Sequence, residues 1–373
     1  MSGVPTADEL LGPDVARELQ TVLEGAAPDA EFSGVGAAAG RFDGLPLRER
    51  SDLLRDALLD AVPGDYPTLA AVVSAAVESP RLTGWMVWPV STAVADRAVG
   101  DGSAEAFDDA MAMLATLTGR LTSEFAIRAL LRHDLSRGLV IAQGWTTSTD
   151  EHVRRLASEG TRPYLPWGTR IPGVITDPAA AIPILDALYR DPSDYVRRSV
   201  ANHLNDVSRH APELVVETAQ RWMADPDDTT AATVRHALRT LVKRGDPAAL
   251  AILGFGPVSV EVDGPRTAGG TVRIGEDLGF TAAVRNVGAN DARVAIDYVV
   301  HHRKANGKQT EKVFKLTTCT LAPGEVLDIN RRHSFKVITT RKYHPGRHAI
   351  ELQVNGERLG RAEFDLVASS PVP

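Results

Sequence analysis

Three short segments carry the residues able to do chemistry. Residues 193–206 read SDYVRRSVANHLND. Taken as a helix, they bring Val196, Val200, Leu204 and the following Val207 onto one apolar stripe. Arg198, Asn202 and Asp206 follow their own four-residue spacing on a flank beside it. A helix that packs by one side and offers a guanidinium, an amide and a carboxylate on the other suits a polyanion-binding surface with chemistry in it. Residues 150–167, DEHVRRLASEGTRPYLPW, set Arg155 and Glu159 four apart on a second helix. Gly160 is expected to end that helix, after which Pro163 and Pro166 stiffen a loop that presents Trp167. A rigid indole beside a carboxylate suits a flat or cationic ligand, an attraction of roughly 0.5–2 kcal/mol. The blander alternatives are an indole that plugs a groove between helices and a surface Arg155–Glu159 pair of small value. In the third segment, LTSEFAIRAL at 121–130, Glu124 stands near the start of a helix that Thr122 or Ser123 caps. It reads either as a third site carboxylate or as a helix-dipole group.

The elements that position these residues are legible from their punctuation. From about 45 to 253 helical periodicity is broken at Pro63-Gly64-Asp65, Asp101-Gly102, Asp150, Asp191-Pro192, Pro212, Asp225-Pro226 and Gly245-Asp246-Pro247. Val153-Arg154-Arg155, Val196-Arg197-Arg198 and Val234-Arg235-His236 fall 43 and 38 residues apart, near the period of HEAT and armadillo helix pairs. Stacked repeats would align these basic residues on one face; inter-repeat salt bridges are the alternative use. After Gly254-Phe255-Gly256-Pro257 the period changes to two. Strands are expected near 258–262, 278–286, 292–303, 310–319, 326–336, 347–354 and 358–367, with turns at Asn306-Gly307, Ala322-Pro323-Gly324 and Asn355-Gly356. The expected chain is therefore multidomain. A partly ordered lead-in (1–40) precedes an all-α HEAT-like solenoid (41–254), and an all-β immunoglobulin-like sandwich (258–369) follows.

Composition narrows the class. The chain has 373 residues, 43% of them hydrophobic and 24% charged, as expected of a globular protein with two cores. Neither a secretory signal nor a run of eighteen apolar residues is visible, so a soluble cytoplasmic protein is expected. The lone Cys319 excludes an internal disulfide, and ten scattered histidines lack zinc-site spacing. The Gly34–Gly40 run does not match the dinucleotide fingerprint, and neither a Walker loop nor a Gly-x-Ser-x-Gly elbow occurs. No metal or cofactor is expected. Net charge is −7, yet residues 258 onward hold 17 Lys and Arg against 13 Asp and Glu, and 301–347 hold 11 against 3. Such a patch is a possible phosphate footprint on an acidic protein.

SEFAIR at 123–128, VRRLASEGTRPYLPW at 153–167 and DPSDYVRRSVANHLND at 191–206 resemble the AlkC group of HEAT-like alkylpurine DNA glycosylases, some with an immunoglobulin-like C-terminal domain. One departure is Ala129-Leu130-Leu131 after SEFAIR, where the group has a proline and an aromatic. The resemblance implies release of cationic N-alkylated bases such as 3-methyladenine from double-stranded DNA. It implies Asp206, Glu159 and Glu124 as catalytic carboxylates, with Asp206 positioning water. Trp167 would pack on the deoxyribose or lesion. Arg155, then Arg154, Arg198 and Asn202, would contact DNA, and the duplex would be bent rather than its base drawn into a deep pocket. Basic hairpins at Arg303, Lys304, Lys308, Lys312, Arg331, Arg332, Arg341 and Lys342 would close over the duplex or serve as a solvated edge. A non-catalytic module for bent or damaged DNA is the alternative, and a protein-interaction scaffold is a third reading.

Overall fold

The computed structural model describes residues 5–338 and 341–368. The chain divides into two units, one running to Ala237 and the other starting at Leu238. The first is all helical, and side chains cap its helices, with Asp65 and Asp150 at expected breaks, Ser103 just after one and Asp134 at a start the punctuation did not mark. Asp65, Ser103, Asp134 and Asp150 each accept a backbone N–H at the starts of Tyr66–Val77, Ala104–Thr118, Leu135–Trp145 and Glu151–Gly160. Gly102, left-handed at φ 75°, ends Val87–Asp101. Helices Glu151–Gly160, Asp194–Val207 and Thr230–Ala237 carry the three Val-Arg motifs and pack on one another in turn. The repeat spacing thus corresponds to real stacking. Val196, Val200, Leu204 and Val207 form the buried stripe that holds the middle helix in place. Among the described residues no helix is long and apolar enough to cross a membrane.

Two boundaries differ from expectation. Residues 5–40 form no loose lead-in: Pro13–Ala26 and Ser33–Ala37 are helices, and Leu11, Leu19, Leu23, Phe32 and Val35 lie fully inside the core. The short helical pattern legible near 14–24 is the first of these helices, with Ala16, Leu19, Val22 and Leu23 on its buried side. The expected break at 254 falls earlier, because Arg239–Arg244 and Pro247–Ile252 belong with the second unit. Residues 1–4 and 369 of the expected domain spans lie outside the described residues.

The second unit is a two-sheet sandwich. Its strands are β1 (Val260–Thr267), β2 (Thr271–Arg273), β3 (Asp277–Asn286), β4 (Ala292–Arg303), β5 (Gln309–Leu321), β6 (Val326–Ser334), β7 (Gly346–Val354) and β8 (Glu357–Val367). One sheet has the order β1-β3-β6 and the other β2-β8-β7-β4-β5. Strand β2, three residues paired parallel to β8, is too short to show alternation and is the strand the sequence did not reveal. Asn355 (φ 44°) and Gly356 (φ 87°) make the expected two-residue turn between β7 and β8. Alternate residues of β3 point inward, Leu278, Phe280, Ala282 and Val284 among them. Of the basic residues of the expected hairpins, Arg303, Lys312, Arg331 and Arg332 are spread over both sheets, on β4, β5 and β6, while Lys304 and Lys308 stand in the β4–β5 turn and Arg341 and Lys342 between β6 and β7. Arg341 turns inward, donating to His302 Nε2 at 2.9 Å.

His302, His333 and His348 sit together inside this sandwich around Phe335. Among the described residues, His302 Nδ1 and His333 Nε2 are buried with no hydrogen-bond partner. Burial, then the Arg341 charge, depresses His302 to about 3 and His333 to about 4. An unfolded histidine titrates near ~6.5. The unfolded chain therefore binds protons that the native one refuses. Stability from these groups is full above pH ~6.5 and falls by about 1.4 kcal/mol per pH unit for each such histidine as pH drops toward their native values. Hydrogen exchange of β4 peptides in the full chain is expected to accelerate steeply between pH 6 and 4. Exchange indifferent to pH, after correction for intrinsic rate, contradicts this.

Candidate active site

The three carboxylates singled out from sequence come together through two arginines. Glu124 Oε2 accepts from Arg155 Nη1 at 2.6 Å. Arg155 Nη2 lies 3.6 Å from Glu159 Oε1, which also accepts from Arg162 Nη1 at 2.6 Å. Arg162 Nε then donates to Asp206 Oδ2 at 2.9 Å. The result is one alternating row, Glu124–Arg155–Glu159–Arg162–Asp206, built from a turn, a helix, a loop and a second helix. Every side chain in it is at most 16% exposed, so the surface-pair reading of Arg155 and Glu159 fails. Each carboxylate is held by one oxygen only, and among the described residues the other oxygen takes no hydrogen bond. With all five groups ionised the row carries one net negative charge.

Local sequence explains how the row is assembled. Gly160 is the last residue of its helix rather than a left-handed cap. A Cβ there would meet Ile127 Cγ2 at 2.8 Å, so its bareness lets the helix approach the segment that carries Glu124. Glu124 stands in the turn before Ile127–His133, outside the helix, where Thr122 Oγ1 donates to its carboxylate at 2.9 Å. That geometry excludes the helix-dipole reading. Helices Glu151–Gly160 and Asp194–Val207 are joined by a Ser158–Ser199 hydroxyl bond of 2.9 Å. The His203 ring also meets the Ser158 carbonyl through Nδ1, at 3.0 Å. Burial, helped by the charges of Arg162 and Arg128, lowers His203 to about 3, so this imidazole stays neutral.

Two arginines that the sequence reading passed over hold the loop between these helices. Fully buried Arg128, from SEFAIR, donates through Nε to Thr169 O and through Nη1 to Gly160 O at 3.2 Å. Burial, then the nearby Arg162 charge, lowers it to about 10, so it remains a cation at neutral pH. Arg162 is the bridge itself. Burial opposes its charge, but Glu159 and Asp206 outweigh that and raise it. A basic residue directly after the helix that carries Glu159 was the available signal for Arg162. Arg128 lacked one, because an arginine in a short apolar helix reads as surface. For Asp206 burial wins over Arg162 and the carboxyl is pushed above the usual aspartate range.

Trp167 is presented, not plugged: it is 64% exposed, with φ 60° in the left-handed region. Arg48 Nη1 donates to its carbonyl at 3.1 Å and pins this costly conformation. The indole lines a cleft of about 480 Å³ with Trp88, Phe125, Arg48, Arg132 and His133. Phe125 and Ala126, beside Glu124, line it too, but the three carboxylates of the row do not. Indole and row are thus neighbouring features joined by one loop. Ala129, at the departure from the family pattern, also lines the cleft.

Of the other candidate residues, Arg155 belongs to the row, while Arg154, Arg198 and Asn202 are not gathered in it. Arg154 donates to Asp191 at 2.6 and 3.1 Å and to the Ser148 and Thr149 carbonyls, which spends four of its five donors on the fold. Arg155 lies between two carboxylates and over the Tyr195 ring at 4.8 Å, a place suited to orienting acids rather than to reaching a phosphate. Arg198 pairs with Asp194 at 2.8 Å on the surface, and Asn202 is half-buried one turn before Asp206. Among the described residues no group of His, Cys, Asp or Glu is arranged to hold a metal ion.

Fold and site define a two-unit protein, a HEAT-like helical unit with interleaved carboxylates followed by an immunoglobulin-like unit. A family model described as the C-terminal Ig-like domain of uncharacterised protein YhaZ matches residues 261–368. Uncharacterized protein YhaZ of Bacillus subtilis (strain 168) is 38% identical over 261 residues, 70% of this chain and 72% of that relative. The solved structure of Pseudomonas fluorescens alkylpurine DNA glycosylase AlkC, bound to DNA containing an abasic site analog, is similar along nearly the whole chain. It is 35% identical with a TM-score of 0.85, over 98% of this chain and 100% of that one. The chain belongs to the AlkC family, which includes YhaZ, as the three sequence strings implied.

Proposed function

We propose that this protein is a DNA glycosylase that hydrolyses the N-glycosidic bond of cationic N-alkylated bases, such as 3-methyladenine, in double-stranded DNA. The likeness to AlkC along the whole chain supports the activity. The observation that carries the chemistry is the row of three carboxylates, each with one oxygen engaged by arginine and one left over. Carboxylates repel phosphate, so a DNA-binding module gains nothing from three of them. A cationic substrate does. The alkylated base leaves with the electron pair of the C1′–N bond and becomes neutral, so it needs no strong acid. The sugar becomes oxocarbenium-like, and fixed negative charge in a poorly hydrated site stabilises it. Asp206 faces C1′ and holds the attacking water, taking its proton as the new C–O bond forms. Glu159 and Glu124 supply the surrounding negative potential. Trp167 packs on the deoxyribose or lesion, and Arg155 and Arg162 orient the acids.

The reaction is monofunctional: residues 1–237 contain no lysine, so the helical unit has no side-chain amine to attack C1′. We place the protein in the cytoplasm, at the nucleoid when bound to DNA.

The test is release of free modified base from methylated duplex DNA, followed against pH. Because burial raises the Asp206 carboxyl, the rate is expected to fall on acidification through a value above the ~3.9 of an ordinary aspartate. No release from any N-alkylated duplex refutes the enzyme reading in favour of a binding module. A flat profile down to pH 4 removes Asp206 from its role.

A further inference from the structure

We infer that Arg170, Arg209 and Tyr164 form a clamp for a single DNA phosphodiester next to the lesion sugar. This rests on the proposed function for its ligand, but on separate residues for its geometry. The Arg209 guanidinium lies 4.4 Å from the centre of the Tyr164 ring, and that of Arg170 lies 5.4 Å from the same ring. His210 stacks on the ring at 5.6 Å with 26° between planes and meets the tyrosine hydroxyl through Nε2. Tyr164 is thereby fixed at one face and at its tip while two cations share its π-system.

The two arginines differ from the others near the row. Arg154, Arg155, Arg162, Arg197 and Arg198 are each engaged by a carboxylate. Arg170 and Arg209 are exposed, and among the described residues neither guanidinium has a hydrogen bond or an ion pair. Two like charges drawn to one ring repel, eased only in part by the Asp206 carboxylate on which the Arg209 charge acts, and a bound phosphate offsets the remaining cost with charge-assisted, forked hydrogen bonds.

Position selects the ligand. Arg209 lies three residues beyond Asp206, its backbone N–H donating to the Asp206 carbonyl at 3.3 Å. Tyr164 and Arg162 belong to one loop, and Arg162 Nη2 reaches the Tyr164 carbonyl at 3.4 Å. The clamp is therefore attached to both ends of the Arg162–Asp206 bond. A nucleotide whose C1′ faces Asp206 has its own phosphates within a few ångströms, so a phosphodiester gripped here sets the depth and register of the sugar. Such a contact positions without reading sequence. It supplies the cationic function that Arg154 and Arg155 are not placed to fill.

The experiment uses the full chain and a short duplex with an abasic-site analogue, in which single phosphates around the site are replaced one at a time by neutral methylphosphonates. The R170Q/R209Q variant is expected to raise Kd about 10- to 100-fold and to lower the salt dependence of binding by one to two phosphate equivalents. One methylphosphonate beside the site should weaken the wild type by a similar factor and leave the variant unaffected. Y164L should reproduce much of the loss and Y164F little of it. Unchanged Kd and salt slope in R170Q/R209Q, or losses that multiply at every methylphosphonate position, overturn the clamp. Because binding is read without base release, the two proposals separate. Duplex binding that needs the clamp, with no base released, sinks only the glycosylase reading. Release undiminished in R170Q/R209Q at sub-saturating DNA sinks only the clamp.

Discussion

Asp206→Asn is expected to lower single-turnover release of 3-methyladenine by roughly 10²–10³-fold, the range seen when one pre-oriented electrostatic group is removed from a transition state. The substitution keeps the volume and keeps an oxygen for Arg162 Nε, which the aspartate meets at 2.9 Å. What it removes is charge. An oxocarbenium-like sugar then faces a neutral amide, and the water has no base to take its proton. Stability should change little, because the aspartate is a buried acid whose carboxyl burial already pushes upward. Affinity for an abasic-analogue duplex should hold or rise slightly, since one negative charge leaves the neighbourhood of phosphates. Glu159→Gln should follow with a clear but smaller loss. The measurement pairs release kinetics with melting and binding; activity equal to wild type in both variants removes the site assignment.

Arg162→Gln is expected to cost both stability and rate. It strips the one group that touches both Glu159 and Asp206, at 2.6 and 2.9 Å. Removing one partner of a buried ion pair is worth about 3–5 kcal/mol, since the remaining charge stays buried and uncompensated. For a unit of this size that is a fall in Tm of roughly 10 °C. With the guanidinium gone, Asp206 should ionise at still higher pH, so the acid limb of activity should move upward. That shift distinguishes a positioning residue from a merely structural one. Arg162→Lys should recover part of the stability, because the charge returns, and less of the rate, because an ammonium cannot span two carboxylates as a planar fork does. Melting curves and pH–rate profiles check both. An acid limb left in place after Arg162→Gln contradicts the coupling.

What the sequence disclosed and what it hid follow from the physics of each signal. Capping residues and helix-ending glycines act locally, so the breaks read at Asp65 and Asp150 mark real helix starts and that at Gly102 a real helix end. The Val196–Val207 stripe was visible because burial is periodic. Glu124, Glu159 and Asp206 were identifiable as candidates, yet their meeting was not. It depends on Arg162 crossing between helices, with a separation of 44 residues to Asp206 that no local pattern encodes. Arg128 was hidden for a related reason. Its partners are backbone carbonyls of a distant loop, and carbonyls leave no mark in composition. Arg154 reads in the sequence as a ligand-facing cation because charge alone does not tell that Asp191 engages it. The short β2 escaped because three residues cannot show a period of two.

The exposed indole has an optical consequence. All five tryptophans, at 85, 88, 145, 167 and 222, precede Leu238, and of these Trp167 alone is largely exposed. Quenchers therefore act first on Trp167, and bound duplex acts on Trp167 and on Trp88 at the same cleft, while Trp85, Trp145 and Trp222 do not line it. The protein carries its own occupancy reporter, and the β-sandwich is silent in that channel.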